Sequence, residues 1–148
     1  MSSKVPVAYI DIRTFAHATE DTEKVEKAVR NTLPTELVDA ILLERSNLTG
    51  HHGNPIVLFE TRIKEKNAAQ KAFQKLSSDL SIMDKDLLSS EIKRHLEKGN
   101  LYIRLDKQSA YMNELRICQI DPIHFKVHFK RHETEEMIEI CKTYGLIP

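Results

Sequence analysis

The chain has 148 residues, 41% of them hydrophobic and 30% charged, with 22 basic and 22 acidic side chains in balance. That length fits one domain over residues 1–148 with its own core. The sequence offers no apolar run of the ~18 residues that a membrane span needs and no signal-peptide core, which predicts a cytoplasmic protein without membrane contact.

Residues 5–15 predict the first strand. Val7, Tyr9, Asp11 and Arg13 fall on one face, and the apolar Ala8, Ile10 and Ile12, with Thr14, on the other. The polar residues Thr19 to Thr22, followed by Glu23, mark a helix start. Val25, Ala28, Val29 and Leu33 form its buried stripe, and Pro34 stops it. Residues 37–48 read as a second strand. The segment 47–55, NLTGHHGNP, is a turn-rich connection. Residues 56–66 give a third strand, apolar on both faces in its first half and therefore central.

Asn67 is the expected cap of the next helix, with Ala69, Ala72, Phe73, Leu76 and Leu80 facing the sheet. Ser81 opens another, acidic early and basic late, running toward Gly99 as its C-terminal stop. Residues 100–111, NLYIRLDKQSAY, alternate Leu101, Ile103 and Leu105 with Tyr102, Arg104 and Asp106, and then run into a polar stretch. A helical turn is expected over 111–115. Residues 123–131 form the last strand, with Phe125, Val127 and Phe129 on one face and His124, Lys126, His128 and Lys130 on the other. Thr134 caps a terminal helix that Gly145 releases. The order predicts an α+β fold: an antiparallel-rich sheet with helices on one face, a split β-α-β (ferredoxin-like) beginning and a C-terminal strand and helix.

Catalytic signals are weak. Phosphate loop, nucleophile elbow and HExxH are all missing from the sequence. Nothing in the spacing favours acid–base work by Asp106 with a histidine. His51 and His52 are adjacent, and His124 and His128 on a strand stand roughly 13 Å apart, so no metal or other cofactor is expected. Cys118 and Cys141 lack metal or redox spacing and fit core positions in a reducing compartment.

The charge distribution says more. Residues 1–61 hold six basic and nine acidic side chains, residues 62–132 fifteen and nine, and residues 133–148 one and four. A positive middle suits a polyanion. Arg104, Lys107, Lys126, Lys130 and Arg131 are the candidate phosphate contacts. Tyr102, Tyr111 and His128 supply planar groups for stacking, and Asn54 and Gln108 amides for sugar or base.

Three stretches share one resemblance: ATEDTEKVEKAVRNTLP (18–34), GHHGNPIVLFETRI (50–63) and GNLYIRLDKQSAY (99–111). Together they resemble an archaeal RNA-binding-domain family described as an exosome subunit. The similarity runs from about Val5 to Phe129. His52 stands where the family has an aromatic residue, and Ser109 where alanine is usual. The resemblance implies a split α/β fold related to that of a ribosomal protein. It also implies a non-catalytic RNA-binding role in RNA processing, exosome-associated or ribosome-related, with RNA-processing subunits as partners. The competing readings are a protein–protein module, for example a homodimer joined through a sheet edge or face, and a small enzyme.

Overall fold

Two-residue alternation sets the strands, and 3.6-residue stripes set the helices. The computed structural model describes residues 5–148 and, at His51, the backbone alone, so the His51 side chain lies outside the described residues. In order it runs β1 (Val7–Ala16), α1 (Thr22–Asn31), β2 (Glu44–Thr49), β3 (Pro55–Ile63), α2 (Lys66–Asp79) and α3 (Ile82–Ser90). There follow β4 (Leu96–Glu97), β5 (Asn100–Leu105), α4 (Lys107–Tyr111), β6 (Ile123–Phe129) and α5 (Thr134–Thr143).

The strands make one sheet in the order β2-β3-β1-β6-β5-β4, antiparallel at every pairing. β1 and β2 therefore run parallel with β3 between them, which is the split β-α-β unit expected for this α+β fold. One sheet face carries Ile10, Ile12, Phe59, Ile63, Leu101, Ile103, Phe125, Val127 and Phe129, all buried. Val25, Ala28 and Val29 of α1, Phe73 and Leu76 of α2, and Met137 and Cys141 of α5 share that core. The Phe73 and Phe129 rings meet edge to face at 5.6 Å. Burial pushes the Cys141 thiol up to about 12, as suits an inert core residue.

Local chemistry moved several boundaries. Val7 leaves the polar face because a register shift between Val7 and Tyr9 turns it into the core, opposite Phe129. The second strand is shorter than expected. Residues 35–37 form a 3-10 turn, and only Glu44–Thr49 pairs, as an edge strand. Arg30 holds the connection by donating to the carbonyls of Val38 (2.6 Å) and Ile41 (3.1 Å). Glu65, not Asn67, caps α2, its carboxylate accepting from the backbone N–H groups of Asn67 and Ala68. The α3 helix ends at Ser90. Lys98 (φ 52°) and Gly99 (φ 85°) make a tight β4–β5 hairpin turn instead of a helix stop.

The helical turn expected over 111–115 begins four residues early. Asp106 points back to cap it, accepting from Ser109 N (2.9 Å) and Ser109 Oγ (2.6 Å). Asp106 is thus a helix cap and not an outward strand carboxylate.

Candidate nucleic-acid interface

The sheet face away from the core carries the alternate residues of five strands, and the strand register sorts them into rows. In the first row Tyr9 lies opposite His128, and His128 opposite Asn100. The Tyr9 and His128 rings stack at 4.7 Å, and Asn100 Oδ1 lies 2.7 Å from His128 Nδ1. In the second row Arg62, Asp11, Lys126 and Tyr102 are successive neighbours. Arg62 donates to both Asp11 oxygens, at 2.6 and 2.9 Å, and its guanidinium lies 4.1 Å from the Tyr9 ring centroid. Lys126 Nζ lies 3.7 Å from Asp11. This row alternates in sign, with one carboxylate shared between two cations, and ends on an aromatic ring.

The third row runs Glu44, Glu60, Arg13, His124, Arg104. Here charge is segregated by sign. Glu44 and Glu60 are direct cross-strand neighbours, although like charges in that position repel. Arg13 faces Glu60 across the β1–β3 pair, yet among the described residues the two form no ion pair. Arg104 donates to Gln119 Oε1 at 2.9 Å and has no carboxylate partner among the described residues. Partial burial, then the positive fields of Arg104 and Arg13, hold the His124 imidazole below its ordinary value against a smaller opposing pull from Asp121. Rows two and three line a shallow depression of about 480 Å³.

Of the expected contacts, Tyr102, Arg104, Lys126 and His128 come together on this face. His128 is already stacked on Tyr9, so Tyr102 is the ring that lines the depression. Lys107 is elsewhere. Its side chain is only 10% exposed, and its ammonium donates to Phe15 O (2.8 Å), to Glu20 (2.9 Å) and to Asp121 (2.8 Å). The expected outward lysine is therefore an internal tie between the end of β1, the start of α1 and the loop before β6. Asn54 lies exposed at the β2–β3 tip, where its carbonyl accepts from Gly50 N at 2.7 Å. Gln108 and Tyr111 sit on α4, where Lys24 and Lys27 approach the Tyr111 ring at 5.9 and 5.3 Å.

Lys130 and Arg131 follow β6 and leave the row pattern. The Lys130 backbone donates to Pro6 O, and the Arg131 side chain lies 3.9 Å from Glu136. The five cations read from the sequence thus do not form one surface. Arg13, His124 and Glu60 were missed. Strand alternation puts Arg13 on the same face as Asp11, and His124 on the same face as Lys126. What the sequence hides is which strands are neighbours.

A metal is poorly served by the residues present. His17, Glu20 and Asp121 bring ligand atoms within 4.8 Å of one another, but Lys107 already neutralises both carboxylates. Burial works to raise Asp121, and hydrogen bonds from Lys107 and His17 outweigh it, holding the carboxyl below its usual range. No helix among the described residues is long and apolar enough to cross a membrane.

With that geometry in view, three comparisons bear on identity. An RNA-binding protein of Pyrococcus abyssi is 35% identical over 133 residues, covering 88% of this chain and 86% of that protein. A protein of Methanocaldococcus jannaschii is 30% identical over 139 residues, covering 88% and 93%. The relatives of solved structure include a protein of Methanothermobacter thermautotrophicus with TM-score 0.75 and 25% identity, covering 97% of this chain and 99% of that one. A family model described as RNA binding matches residues 9–129, most of the length, and the chain belongs to that family.

Proposed function

We propose that this is a non-catalytic RNA-binding protein and that the open sheet face is its binding surface. The observation that carries the reading is the third row, in which Arg13, His124 and Arg104 lie side by side next to the Tyr102 ring. Cationic side chains displace counterions from phosphates, and an exposed ring stacks unpaired bases at ~1–3 kcal/mol each. A six-stranded sheet presents these groups from a rigid base. The ligand is single-stranded or looped RNA, because flat stacking surfaces suit unstacked bases. Work within an RNA-processing assembly, exosome-type or ribosome-related, belongs to the same proposal. So does a homodimer, for which the exposed edge strand β2 offers an unpaired ladder.

The test is fluorescence anisotropy with a labelled single-stranded oligoribonucleotide. Arg104→Ala combined with Tyr102→Ala should weaken binding at least tenfold while circular dichroism stays native. Unchanged affinity in that folded variant would move binding off this face. Failure of the folded wild type to bind at low salt would defeat the RNA reading.

A further inference from the structure

The third row has a second end that phosphate binding does not use. Glu44 and Glu60 face one another across β2 and β3 with no cation on either among the described residues. An ordinary surface row would alternate charge, as the second row does with Arg62, Asp11 and Lys126. The segregated row instead places two hydrogen-bond acceptors at one end of the depression and three cation-capable groups at the other. His124 and Glu60 are two strand spacings apart, roughly 10 Å along the row. Both side chains line the same depression, and the separation is of the order of one sugar–phosphate unit.

Carboxylates repel a phosphate but accept strongly from hydroxyl groups. A carboxylate accepts a strong, charge-assisted hydrogen bond from a ribose hydroxyl, as an Asp or Glu does in dinucleotide-binding folds. The 2′-hydroxyl is the group that distinguishes RNA from DNA at a given site. We propose that the depression seats one ribonucleotide of the bound strand. Its phosphate lies over Arg13, His124 and Arg104, and its ribose hydroxyls donate to Glu60 and Glu44, so that this row selects RNA against DNA. The inference rests on the RNA-binding reading and adds to it the residues that choose the sugar.

The polarity of the row also fixes the direction of the effect. A deoxyribose cannot donate to the carboxylates, so a DNA strand meets them as unrelieved negative charge. Removing the carboxylates takes away the preferred contact for RNA and the repulsion for DNA together. A merely structural role for Glu44 and Glu60 would shift both affinities alike.

The experiment compares a labelled oligouridylate, its deoxyuridylate counterpart and its 2′-O-methyl counterpart at one salt concentration, using the full chain. Wild type should bind the oligouridylate about tenfold or more tighter than the other two, as expected for a lost hydrogen bond to a charged group. Glu44→Ala with Glu60→Ala should bring the three affinities together, with the DNA affinity rising. Arg13→Ala should weaken all three by the same factor and keep their ratio. The 2′-O-methyl arm needs no variant and so stands if the double variant misfolds. Equal binding of the three by wild type, or an unchanged ratio in the folded double variant, would overturn the sugar assignment and leave RNA binding intact. No binding of any of the three would remove both.

Discussion

At the scale of single residues, one ammonium ties three segments together: Lys107 reaches Phe15, Glu20 and Asp121. Lys107 follows a strand and precedes polar residues, so it reads as a solvated cation. Its partners Phe15 and Glu20 lie 92 and 87 positions away, which no local pattern reveals. Replacing Lys107 with Met should leave the Glu20 and Asp121 carboxylates unbalanced. Removing one member of a buried pair costs about 3–5 kcal/mol. Glu20 and Asp121 are 31% and 39% exposed, so water recovers part of that and about 2–3 kcal/mol is expected. Urea denaturation measures it, and RNA affinity of the folded variant should not change.

The two sheet histidines carry a pH signature. Burial and neighbouring cations lower the His124 value; burial, then His132, Lys126 and Arg62, lower the His128 value. Each folded value lies below the unperturbed 6.5. The unfolded chain therefore takes up protons first as pH falls, and stability is lost from about pH 6.5 downward, through the folded values. Asp121 titrates below its usual 3.8 and stays out of that window. Thermal melts at pH 7.5 and 5.5 should show the loss, and His124→Gln with His128→Gln should flatten it.

At the scale of elements, alternation and helical stripes were legible, and connections were not. The β6 pattern was clear because each inward residue is apolar and each outward one polar, and all seven positions follow it. The edge strand β2 is shorter than its apolar pattern suggests because Leu37 and Leu43 are buried by a connector and not by strand pairing. Gly99 reads as a helix stop in the sequence because glycine serves both helix ends and hairpins. Its φ of +85° is costly for a residue with a side chain, and an added Cβ would approach His132 Cδ2 at 2.6 Å. Gly99→Ala should therefore destabilise by about 1–2 kcal/mol. The expected result is a lower urea midpoint with an unchanged slope, since one added methyl group hardly alters the surface exposed on unfolding. A variant as stable as wild type would mean that the β4–β5 turn relaxes without strain.

At the scale of the whole molecule, the charge asymmetry of the sequence pointed to a polyanion but not to the surface that meets it. Much of the basic middle segment is held in ion pairs: Lys71 with Glu36, Lys75 with Asp79, Arg94 with Glu91 and Arg116 with Glu114. Cations able to act on a ligand are those that the sheet gathers without neutralising. Arg13 comes from the acidic first segment and Arg104 from the basic middle one, so segment totals could not pair them. This leads to a salt test that separates the two groups. For single strands, each phosphate neutralised contributes about 0.7 to the log–log slope of affinity against salt. Arg13→Ala and Arg104→Ala should each flatten that slope by about 0.7, and together by about 1.4. Lys126→Ala should do less, because Asp11, 3.7 Å away and shared with Arg62, offsets part of the Lys126 charge. Lys130→Ala should leave the slope as it is, because Lys130 follows the last strand outside the rows. Titrations of one labelled oligoribonucleotide at four salt concentrations resolve these slopes. A slope that falls with Lys130→Ala and not with Arg13→Ala would relocate the binding surface to the end of the sheet beside α5.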